Sequence, residues 1–151
     1  MHSLVRRYIK TAILFLAVGL ALGAWLIVRR ELGGHTPAPY LVSAHTHSIL
    51  VGFMMMMILG VALWVFPRPD RENARYRPAV AEVAYYLITV GTAARTGGEI
   101  LRDTRSDGWL RVTVALGAAL QVVGLALFFY TMWNRIRSAG SRQREMQGER
   151  F

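Results

Sequence analysis

The chain has 151 residues, 54% of them apolar, with a formal net charge of +9 and no cysteine. The missing cysteines exclude disulfides, Cys-ligated zinc, iron–sulfur clusters and covalently attached c-type haem. Every basic residue but Lys10 is an arginine, and these arginines flank the apolar runs, as membrane-bordering charge does, which argues against a nucleic-acid surface.

Four runs are long enough to cross a bilayer, whose hydrocarbon core needs about 20 apolar residues in a helix. They predict helices over 9–28, 41–66, 79–97 and 109–133. The first is not a cleaved signal peptide, because its apolar core is too long and Arg29-Arg30 stand where a cleavage site would lie. It carries Gly19 and Gly23 at the four-residue spacing that lets helix backbones approach in lipid. Short connections leave no room for a soluble domain. The fold class is therefore an all-α integral membrane protein, a four-transmembrane-helix bundle over residues 1–137 with a polar, disordered tail at 138–151.

Orientation follows from the arginine and lysine distribution. With the N-terminus inside, the cytoplasmic side holds Arg6, Arg7, Lys10, the four arginines of segment 67–78 and the five from Arg135 onward. The outer side holds Arg29, Arg30, Arg95, Arg102, Arg105 and Arg111, the smaller share, so both termini are expected in the cytoplasm of a bacterial or archaeal cell.

The second run, "SAHTHSILVGFMMMMILGVALWVFPRP", carries the chemistry. A histidine about one turn inside hydrocarbon needs a partner, either a hydrogen bond to a neighbouring helix or a metal, since neutral imidazole ligates iron, copper and zinc. His45 and His47 point about 200 degrees apart on a regular helix and cannot hold one metal together. The face continuing from His45 runs through Ile49, Gly52, Met56, Leu59 and Gly60, and Gly52 there would leave room for a flat group. His47 is read as a neighbour at the outer interface. Met54–Met57 invite a Cu(I) site, but consecutive residues point four ways around a helix, so packing is the better reading. Pro67 and Pro69 end the helix.

The third and fourth runs contain Glu82, Thr89, Thr92, Arg95, Thr113 and Gln121, polar groups that should face the bundle or snorkel to its ends. Gln121 suits an interhelical hydrogen bond. Trp25, Trp64, Trp109 and Trp133 are spaced as an aromatic belt.

The stretches "LVSAHTHSILVGF" and "GVALWVFPRP" resemble the start and close of the second transmembrane helix of subunit I in the haem-copper oxidase superfamily, which includes cytochrome oxidases and nitric oxide reductase large subunits. The resemblance covers the first two helices and the loop between them, about 60 residues. It implies haem b, with His45 as iron ligand, Gly52 beside the ring and Arg95, oriented by Glu99, as a propionate partner. The rest of that family's ligands lie on later helices, and this chain has only His2, His35, His45 and His47. A complete oxygen- or nitric-oxide-reducing centre is therefore not expected from this chain alone. The second axial position is left to His45 of a second copy, another subunit, His35, or an open five-coordinate iron. The expected function is a haem-b membrane protein for electron transfer or gas sensing, as a homodimer or with a respiratory membrane subunit. The alternative is a non-catalytic accessory or assembly subunit of a respiratory complex without haem.

Overall fold

Apolar runs bounded by Gly, Pro and Arg become helices, and the first and third helices extend beyond their runs at both ends. The protein, in a computed structural model, is described at residues 3–34, 36, 38–66 and 78–136. The helices are α1 (Ser3–Glu31), α2 (Pro39–Val65), α3 (Pro78–Leu101) and α4 (Gly108–Met132), followed by a 3-10 turn at Trp133–Arg135. His35, Pro67, Pro69 and the expected tail at 138–151 lie outside the described residues.

Local signals set the helix ends. Gly34, with φ 59°, supplies the left-handed residue after α1, a conformation that costs other L-residues energy. Pro39 opens α2 in its first turn, where its missing N–H is no loss. Within α2 the stretch Ser48–Met55 is π-helical, beginning directly after His47. Such stretches are rare and concentrate at functional sites.

By length and composition, α1, α2 and α4 are each able to cross a membrane. Helix α3, expected as a fourth span, is 24 residues long but more polar, because it carries Glu82, Arg95 and Glu99. Their placement differs: Glu99 is buried, Arg95 half-buried, and Glu82 exposed in an ion pair with Arg7 of α1 at 2.7 Å.

The helices associate as two tight pairs. Between α1 and α2, side chains of each helix drop onto glycines of the other: His45 and Ile49 onto Gly23 and Gly19, Phe15 and Tyr8 onto Gly52 and Gly60. Between α3 and α4 the backbones touch. A Cβ at Gly91 would lie 2.7 Å from the Gly117 carbonyl oxygen, and one at Gly117 would lie 2.8 Å from that of Gly91.

The interior divides by depth. The half nearer Tyr8 is apolar, built from Tyr8, Phe15, Met56, Leu59, Ile88, Phe128 and Met132. Of the methionine run, Met56 is fully buried and Met54 is 46% exposed, so the four thioethers do not converge. The four tryptophans are all exposed. At the foot of this half the buried Arg135 guanidinium donates to the carbonyls of Leu63 (3.2 Å) and Phe66 (2.6 Å), satisfying the end of α2, whose last carbonyls have no helical partner. Arg135→Ala should lower stability by about 2 kcal/mol, measured by denaturant titration in detergent, because charge-assisted bonds to two carbonyls are lost.

Candidate functional site

The half of the bundle around the histidines is polar inside. His45 leaves α2 toward α1, and its Nδ1 lies 2.8 Å from the carbonyl oxygen of Gly19. A carbonyl only accepts, so Nδ1–H donates to it. The ring lies against Gly23, where an added Cβ would meet Cε1 at 2.8 Å. Glycine at 23 is therefore what lets the imidazole reach the Gly19 carbonyl.

His47 turns the other way, toward α3. Its Nδ1 is 3.2 Å from Glu99 Oε2 and 3.2 Å from Ser43 Oγ. The Ser43 hydroxyl donates to Glu99 Oε1 at 2.8 Å. Having one hydrogen, Ser43 can only accept from the imidazole, and a carboxylate accepts from everything around it. His47 therefore donates from Nδ1 as well, toward Glu99 and Ser43.

Glu99 is only 3% exposed and is the hub of this half. The Arg95 Nε donates to its Oε1 at 3.2 Å, one turn away on α3. Arg95 Nη1 donates to Gln121 Oε1 of α4 at 3.2 Å, and Gln121 Nε2 donates to Thr92 Oγ1 at 3.0 Å. Ser48 and Thr96 hydroxyls meet at 3.4 Å beside the same seam. A continuous chain of polar groups thus runs from α2 through α3 to α4. A buried carboxylate is tolerated in such a place because a cation and two further donors compensate it. Above the hub, Arg29 of α1 pairs with Asp103 at 3.2 Å, and the Arg102 guanidinium stacks 4.1 Å from the Tyr40 ring centroid.

The three residues expected around a haem do not share one surface. His45 faces α1, with Nδ1 on the Gly19 carbonyl and the ring edge against Gly23. Gly52 faces Phe15, whose ring occupies the space a Cβ would need, with the nearest approach 2.5 Å. Its role here is close helix packing. Arg95 is turned into the α3–α4 pair by Glu99 and Gln121. The i,i+4 spacing of Arg95 and Glu99 was a sequence signal that the fold uses. The attachment of His47 and Ser43 to Glu99 was not, because it joins residues 52 and 56 positions apart. Thr113 bonds its own helix, at the carbonyl of Trp109. Among the described residues no three His, Asp or Glu side chains converge as a metal site.

Compared with protein families, curated proteins and solved structures, the chain matches none of them.

Proposed function

We propose that this chain is a small membrane haem-b-binding protein that transfers electrons or senses a gas, acts as a homodimer, and ligates iron through Nε2 of His45. The observation that carries the reading is the 2.8 Å bond from His45 Nδ1–H to the Gly19 carbonyl. Iron-ligating imidazoles nearly always donate their other ring N–H to a carbonyl or carboxylate, which fixes tautomer and orientation. Haem b, when bound, supplies a one-electron iron couple. The residues of this chain supply the rest: Gly19 aims the imidazole, Gly23 gives it room, and Phe15 against Gly52 holds α1 and α2 at the distance the bond needs. Arg95 serves inside the bundle as the partner of Glu99.

A second reading, an accessory membrane subunit without haem, is favoured by one observation: the Phe15 ring fills the space beside Gly52.

Spectra of the protein purified in mild detergent, oxidised and dithionite-reduced, separate the two. The haem reading expects a sharp pair of visible bands on reduction, absent in His45→Ala. A colourless wild-type protein from a haem-replete host overturns it in favour of the accessory subunit.

A further inference from the structure

We infer that the polar stripe along α3 is a path for protons through the bundle, with Glu82 at one end and Glu99 at the other. The inference is independent of the haem reading, since α3 lies outside the stretches that resemble subunit I and no step uses iron.

Glu82, Tyr85, Thr89, Thr92, Thr96 and Glu99 recur at alternating spacings of three and four, so they share one face of α3. A helix face packed against its neighbours is normally apolar. This one is polar from end to end, over about 25 Å of helix axis, against a hydrocarbon core of about 30 Å. The neighbouring helices meet it with charges, hydroxyls and an amide. From α1, Arg7 reaches Glu82 and Thr11 Oγ1 lies 2.8 Å from the Tyr85 hydroxyl. From α2, Ser48 meets Thr96 and Ser43 donates to Glu99, while Gln121 of α4 donates to Thr92.

These contacts tie helices together, and packing alone accounts for them. Thr89 is different. It stands midway along the stripe, its Oγ1 is buried, and that oxygen has no hydrogen-bond partner. A helical threonine can satisfy its hydroxyl on a carbonyl one turn back, as Thr113 does at Trp109. A valine of the same shape would fill the position without an unpaired hydroxyl, which is costly in an apolar interior. An open hydroxyl at this point is what a relay needs, because a hydroxyl both donates and accepts.

Successive members of the stripe are about 4.5–6 Å apart along the axis, roughly twice an O–H···O bond, so one water closes each gap. Each hydroxyl takes a proton on a lone pair from one side and releases its own to the other. One proton thus enters at the exposed Glu82 as one leaves from Glu99 by way of the half-buried Ser43 hydroxyl. Thr92, Thr96 and Glu99 are buried, a packing that lets a proton pass between oxygens and excludes a hydrated metal ion. Among the described residues the charged and titratable groups on Glu99 are Arg95 of α3 and His47 of α2, and α4 adds the neutral Gln121 behind Arg95.

The test places the full chain in vesicles of neutral lipid that enclose a pH-sensitive dye, with a potassium gradient and valinomycin to drive proton movement. Wild-type vesicles should change internal pH faster than protein-free vesicles. Thr89→Val should fall to the protein-free rate while melting at or above the wild-type temperature, since it loses no bond. Thr89→Ser keeps the hydroxyl and should keep the flux. Tyr85→Phe should lose it, and Thr113→Val, outside the stripe, should retain it. Wild-type flux no faster than that of protein-free vesicles overturns the inference. So does wild-type flux in Thr89→Val or Tyr85→Phe, or an equal loss in Thr113→Val. Where Thr89→Val does not fold, Tyr85→Phe decides. A colourless protein that conducts protons removes the haem reading and supports this one.

Discussion

Gly117→Leu is expected to prevent assembly of the α3–α4 pair. At this point the two backbones touch, so no side-chain rearrangement can make room: the added Cβ alone would sit 2.8 Å from the Gly91 carbonyl oxygen and the Arg95 nitrogen. Overpacking of that kind, through displaced side chains and backbone, typically costs about 1–3 kcal/mol and occasionally more. Separation of α3 from α4 also takes Gln121 away from Arg95 and Thr92, which adds unsatisfied polar groups in an apolar medium. The measurement is the folded fraction in detergent, by size-exclusion profile and thermal scan. A Gly117→Leu variant that elutes and melts like wild type would contradict the close packing. Gly97→Leu is the control, because a Cβ there meets nothing within 4 Å.

The second large effect is expected at Glu99. Glu99→Leu removes the charge that compensates Arg95 and takes the acceptor from Ser43 and His47. Breaking a buried pair by deleting one partner typically costs about 3–5 kcal/mol. Replacing both members with apolar residues removes the uncompensated charge, so Glu99→Leu/Arg95→Leu should recover much of that loss. Denaturant titrations of the two single variants and the double variant give the coupling directly. Additive losses would show that the pair is held apart by solvent and is not a working ion pair. Glu99→Gln keeps an acceptor for Ser43 and His47 and should fall between wild type and Glu99→Leu.

The helices were legible because apolar periodicity and length speak for themselves: the expected spans begin and end within a few residues of the cores of α1, α2 and α4. The ends of α1 and α3 ran further because helical hydrogen bonding continues through polar residues once the helix is nucleated. Helix α3 shows the limit of hydropathy. Its polar residues lower its apparent membrane affinity, yet Thr92, Thr96 and Glu99 are buried against other helices. The opposition of His45 and His47 across α2 was also legible, from the helical angle alone. What each histidine faces was not, because Gly19 and Glu99 are brought to them by packing between distant segments. Gly52 was read as open space because a missing side chain looks the same in sequence whether a cofactor or a phenyl ring fills it. The π-helical turn Ser48–Met55 has no composition of its own.

The division into two glycine-joined pairs bears on the order in which the chain assembles. Contacts between successive helices close early, because little chain entropy is lost in bringing near neighbours together. The α3–α4 hairpin brings with it the partners of its Arg95–Glu99 pair: Glu99 beside Arg95 on α3, and Gln121 bridging Arg95 to Thr92. An arginine and a glutamate that are each costly to bury alone are therefore already compensated within the hairpin. Ser43 and His47 then find their acceptor already positioned when the two hairpins meet.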